Sequence, residues 1–132
     1  MEAKTLTLGD TVMQIERELM RGAGPVAVMS LLSKGEMYGY QLVETLTKQT
    51  EGMLEMGQST LYPLLYNLEA KGLVSSERRV AANGRTRKYY TLTGQGETRL
   101  AADRTQWQAV TDAMYSLGVV SGRLMMPGLA VA

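Results

Sequence analysis

The chain has 132 residues, 45% of them hydrophobic and 20% charged. That is one domain's worth of ordinary globular composition, which argues against wholesale disorder. It contains neither cysteine nor histidine, so disulfides, thiolate metal sites and a cysteine nucleophile are excluded, and the commonest general base and metal ligand are missing together. No catalytic residue, metal site or cofactor is expected.

The net charge of +1 hides an asymmetry. Between positions 71 and 88, Lys71, Arg78, Arg79, Arg85, Arg87 and Lys88 stand against Glu77 alone, leaving eight bases against twelve acids elsewhere. A basic patch on an otherwise acidic molecule is a directed electrostatic feature. No apolar run approaches the roughly 18 residues that span a bilayer. Met1-Glu2-Ala3-Lys4 opens no signal peptide, because no apolar stretch follows it. The protein therefore reads as cytoplasmic, without a membrane partner. Ten methionines and no phenylalanine suggest a core filled by flexible side chains.

Residues 1–8 carry no pattern. From Asp10, a candidate N-cap, Val12, Ile15 and Leu19 recur at i, i+3 and i+7 and predict a helix that stops at Gly22. A second helix is expected from Gly24-Pro25 to Lys34-Gly35; Val26, Val28, Met29, Leu31 and Leu32 make it apolar nearly all round, and hence central. A third runs from Tyr38 to about Thr50 with Leu42, Val43 and Leu46 inward; Tyr38 and Tyr40 are read as helix-packing residues. The fourth, from about Ser59 to Lys71, has a clean inner face of Leu61, Leu64, Leu65 and Leu68, and Gly72 ends it.

The period then changes to that of strands. Leu73 to Val80 and Arg85 to Leu92 flank Ala81-Ala82-Asn83-Gly84, and Asn-Gly between two β-prone segments is a strong hairpin signal. Thr93 caps a last helix, on which Leu100, Trp107, Val110, Met114 and Leu117 form a heptad-like seam wanting a partner helix, flawed at Asp103. The tail from Gly118 is apolar and glycine-punctuated.

Helix, turn, helix and then a basic hairpin describe a mainly α (α+β) winged helix-turn-helix. A recognition helix must bury one face firmly so that the other can project into the major groove. The fourth helix does so, with Ser59, Tyr62, Tyr66 and Asn67 outward. Gln58, Ser59 and Thr60 crowd its N-terminus, where the helix dipole favours a phosphate. In the hairpin, strand alternation puts Arg85, Arg87 and Tyr89 on one face and Lys88 and Tyr90 on the other. The candidate DNA-binding set is Gln58, Ser59, Thr60, Tyr62, Tyr66, Asn67, Lys71, Arg85, Arg87 and Lys88.

Tyr38-Gly39-Tyr40, Thr60-Leu61-Tyr62-Pro63, Leu68-Glu69-Ala70-Lys71-Gly72-Leu73-Val74 and Arg87-Lys88-Tyr89-Tyr90-Thr91-Leu92-Thr93 stand in an order and spacing that resemble the PadR family of bacterial regulators, over about residues 24–117. The resemblance implies a winged-helix fold, homodimerisation through the C-terminal helix, and repression that is often relieved by a small effector. Two departures stand out: Gly57 replaces the family's common capping Ser or Asn, and Tyr66 and Asn67 replace frequent basic residues. The first gives a weaker cap; the second makes the recognition helix less basic and shifts weight to the wing.

The expected organisation is an N-terminal extension and helix (1–22), a winged-helix DNA-binding domain (23–92), a dimerisation helix (93–118) and an apolar tail (119–132). Leu100, Trp107, Val110, Met114 and Leu117 are the dimerisation candidates. Trp107 either anchors that interface or, with Met114, lines a pocket for a small planar effector. The expected partners are double-stranded operator DNA and a second copy of the chain. The alternative is a winged-helix protein–protein interaction module without DNA binding.

Overall fold

The computed structural model describes residues 15–122. In chain order the elements are α1 (Arg17–Leu32), β1 (Met37–Tyr38), α2 (Gly39–Gln49), α3 (Gln58–Ala70), β2 (Val74–Val80), β3 (Thr86–Leu92) and α4 (Gly94–Ser116). The strands form one antiparallel sheet in the order β1-β3-β2. This is the winged helix-turn-helix predicted from the sequence, with one strand added.

The first two predicted helices are a single one. α1 runs unbroken through Gly22, Gly24 and Pro25, although proline lacks the N–H that would bond one turn back. Tertiary packing overrides these local breakers. Gly24 is buried, and a β-carbon there would lie 3.0 Å from Leu64 Cδ1, so the missing side chain lets α1 approach α3 closely. Asp10 and Val12, at the start of the first predicted helix, lie outside the described residues. Leu19 of its apolar stripe is 63% exposed and takes no part in the core.

The core gathers Val28, Met29, Leu31 and Leu32 of α1, Leu42 and Leu46 of α2, and Leu61, Leu65 and Leu68 of α3. It continues through Leu73, Val74, Tyr90 and Leu92 to Leu100. Each leucine so buried contributes on the order of 2 kcal/mol relative to exposure. Leu100 corrects the predicted seam. It is 2% exposed and belongs to the core of its own subunit, because the first turns of α4 lie against α1 and β3. Beyond Leu100 no residue of α4 is fully buried.

Two turns seat the wing and α4. α3 ends in a Schellman motif, with the Gly72 N–H donating to the Glu69 carbonyl, the Leu73 N–H donating to that of Leu68, and Gly72 at φ +77°. In the hairpin the Gly84 N–H donates to the Ala81 carbonyl and Gly84 takes φ +86°, a type I turn followed by a left-handed residue. Thr93 caps α4 by accepting from the Gly96 N–H at 2.9 Å, while its hydroxyl donates to the Gly72 carbonyl at 2.7 Å. The hydrogen bond to Gly72 ties the start of α4 to the end of α3. A β-carbon on Gly96 would stand 2.1 Å from the Leu73 carbonyl oxygen, whereas one on Gly94 meets nothing.

Gly96→Ala should therefore cost more than about 2 kcal/mol, because backbone must move. Gly94→Ala should be neutral or stabilise by up to about 1 kcal/mol through helix propensity. Urea denaturation of both variants checks this; equal effects would contradict the close approach.

Candidate nucleic-acid interface

The outward face of α3 exists because its inward face is held. Leu61 and Leu65 are 0% exposed and Leu68 is 4% exposed, which fixes the rotation of the helix. Ser59, Thr60 and Tyr66 then stand exposed on its free side. Gly57 is the N-cap and offers no side chain to the first turn, leaving amide donors at the helix start open to an acceptor.

A cleft of about 560 Å³ separates α3 from the wing. Gln58 and Tyr62 of α3, Tyr40 at the start of α2, and Arg85, Arg87 and Lys88 of the wing line it. Five of the ten predicted DNA-binding residues thus converge on one place. The Tyr62 ring reaches this flank by crossing Gly39, where a β-carbon would fall within 3 Å of three of its atoms. Tyr40 is 52% exposed and faces the cleft, so the reading of it as a helix-packing residue is corrected. Its phenol titrates above the ordinary range, chiefly because of the Glu44 carboxylate, and stays neutral in physiological conditions.

Asn67 and Lys71 do not join the cleft. Helical geometry turns them to the opposite flank of α3, where they line a second groove of about 450 Å³ between α1, α3 and α4. Trp107, Val110 and Asp103 form its α4 wall. Met114 is not among its lining residues. Asp103, the flaw in the predicted seam, accepts from Arg99 one turn earlier at 3.2 Å. Among the described residues no cluster of acids could hold a metal ion, and no helix is long and apolar enough to cross a membrane.

The wing carries its charge in cross-strand pairs. Arg78 stands opposite Lys88 and Arg79 opposite Arg87, an arrangement that destabilises a sheet unless something compensates it. On the outer face compensation is present. Arg79 is bonded to Glu36, which raises its pKa further, and lies 4.0 Å over the Tyr89 ring. On the core-facing side Lys88 lies 5.7 Å from the Tyr90 ring centre. Arg78, Arg85 and Lys88 form no ion pair among the described residues. Tyr90 itself is 4% exposed, and burial raises its pKa. The Ser76 hydroxyl donates to Glu69 at 2.7 Å, tying β2 to α3.

Three features of this site escaped the sequence. β1, two residues long, is too short to produce a period. The stacking of Tyr38 on Tyr89, rings 5.6 Å apart and nearly perpendicular, depends on β1 pairing with β3. The Glu36–Arg79 pair joins residues 43 positions apart; the only available signal was an isolated acid before a Met-Tyr step.

The geometry is matched by what the chain resembles. The family model for the PadR-like transcriptional regulators covers residues 28–102. The chain belongs to that family. The transcriptional regulator Rv3488 of Mycobacterium tuberculosis is 35% identical over 88 residues, which span 67% of this chain and 78% of that protein. The crystal structure of a PadR family transcriptional regulator from Eggerthella lenta superposes with a TM-score of 0.67 at 36% identity, covering 76% of this chain and 85% of the other. PadR of Bacillus subtilis, solved in complex with operator DNA, matches at a TM-score of 0.56 and 26% identity, over 61% of this chain and 45% of that one. This protein is thus a winged-helix transcriptional regulator of the PadR-like family.

Proposed function

We propose that the protein is a repressor that binds an inverted-repeat operator as a homodimer and is released by a small planar effector. In this reading the DNA-binding unit expected at 23–92 takes in the whole of α1 and spans residues 17–92. α3 enters the major groove through Ser59, Thr60, Tyr62 and Tyr66, and the wing follows the backbone or reaches the minor groove. Asn67 and Lys71 touch only the near edge of the duplex. The observation that carries the reading is the cleft where Arg85, Arg87 and Lys88 of the wing converge with Gln58 and Tyr62 of α3, with Lys88 directly opposite Arg78 in the sheet. Like charges held opposite each other weaken a sheet in isolation and are relieved by a polyanion. The operator complex of the Bacillus subtilis relative supports the same partner. A regulator of this kind acts where the chromosome is, in the bacterial cytoplasm.

The dimer rests on α4. Trp107, Val110, Met114 and Leu117 are 44%, 51%, 37% and 75% exposed along a helix whose outer two-thirds buries nothing completely. A helical segment of that length is marginal in water unless its apolar face is covered. Two-fold pairing would cover it and set two recognition helices about one turn of DNA apart. Leu100, held in the subunit core, takes no part. The effector would occupy the groove walled by Trp107 and Asp103, and Met114 would serve the interface instead.

Replacing Arg85, Arg87 and Lys88 together by alanine should weaken binding to every duplex and flatten the salt dependence, since fewer counterions are released. An unchanged slope in a protein that keeps its circular dichroism would overturn the role of the wing. Val110→Asp combined with Leu117→Asp should give monomers and remove tight operator binding. Sedimentation velocity at micromolar concentration reads the outcome, and a monomeric wild-type protein would dispose of the dimer.

A further inference from the structure

We propose that Tyr38 is a positioning residue for DNA binding, holding the Arg87 guanidinium flat so that its N–H donors face the cleft; this rests on the reading that the wing contacts DNA. The outer face of the sheet carries Arg79, Tyr89, Tyr38 and Arg87 as a continuous series of cation, ring, ring and cation. Register places Arg79 opposite Arg87 and Tyr38 opposite Tyr89, so each guanidinium reaches a ring only along the diagonal. Arg79 settles 4.0 Å over Tyr89 and Arg87 4.2 Å over Tyr38. The two rings meet edge to face.

The ends of this stack differ. Arg79 is bonded to Glu36, and its charge is paired within the subunit, at the surface. Arg87 has no carboxylate partner among the described residues and lines the cleft beside Tyr62. Stacking uses the π face of a guanidinium, whereas its five N–H donors lie in the plane, so a stacked arginine keeps its full capacity to grip a phosphate. It also loses rotamer freedom before the DNA arrives, and the ordering cost of association falls accordingly. Tyr38 is itself fixed by pairing with Tyr89, and its N–H donates to Gln41 Oε1 at 3.3 Å where α2 begins. Arg87 is therefore referenced to the helix-turn-helix and not only to its own hairpin.

A double-mutant cycle against the duplex upstream of the protein's own gene tests this. Tyr38→Leu should weaken binding about two- to fivefold, as expected for one exposed cation–π contact, without changing the salt slope. Arg87→Ala should lower the slope by about one, and adding Tyr38→Leu to it should cost nothing further. Tyr38→Phe should bind as the wild type does. Additive losses in the double variant would overturn the proposal, as would a Phe variant as weak as the Leu variant, which would mean that the hydroxyl touches DNA. A second measurement needs neither DNA nor the Leu variant. The Arg87 Nε–H resonance of the free wild-type protein should be shifted upfield by the Tyr38 ring, and an unshifted resonance would overturn the stack even if Tyr38→Leu fails to fold. A wild-type protein that binds no duplex, with the resonance shifted, would sink the DNA reading and leave the stack standing.

Discussion

Everything this protein presents to a partner depends on the burial of one face of α3. Leu61, Leu65 and Leu68 are sealed in the core that α3 shares with α1 and α2. A helix held along three successive inward positions cannot rotate without exposing a leucine, at a cost on the order of 2 kcal/mol each. The opposite face is thus offered at a fixed angle. The glycine at position 24 belongs to the same constraint, since it sets how closely α1 approaches Leu64.

The wing would be an unreliable surface if it hung only from its hairpin. A two-stranded ribbon is marginal in water, and this one places like charges across from each other twice. Three attachments fix it. β1 adds a third strand, Ser76 bonds to Glu69 of α3, and Arg79 reaches Glu36. The result is a sheet in which Arg79 is paired with Glu36 while Arg85, Arg87 and Lys88 face a cleft shared with α3. Charge is sorted here by partner availability, which residue type alone does not reveal.

α4 changes character along its length. Its first turns belong to the subunit core through Gly96 and Leu100, tied by Thr93 to the end of α3. Past Leu100 it leaves the core, and its apolar residues line the groove above Asn67 and Lys71 or face outward. The groove therefore touches α3 on one wall and the exposed apolar stretch of α4 on the other. A molecule seated there would contact both elements, and differential contact with two arrangements is the physical requirement for coupling them.

Local signals were enough to indicate α3, from leucines at i, i+3, i+4 and i+7, the hairpin, from Asn83-Gly84 between two strand-like segments, and the cap at Thr93, from its residue type. Each is a local signal that burial on one face reinforces. The winged-helix order and the clustering of cations in the wing followed from the same local patterns. Four things waited for tertiary structure. α1 runs through Gly22, Gly24 and Pro25 because packing against α3 outweighs local propensity. β1 forms because β3 offers it an edge, and two residues carry no period of their own. Leu100 leaves the predicted seam for the core because the first turns of α4 lie against α1 and β3, and a heptad count cannot tell which neighbour covers a face. The fate of each arginine was decided by contacts between distant positions. Arg79 meets Glu36 and Arg87 meets Tyr38 only after β1 has paired, so the chain listed its cations and the fold chose which of them remain available.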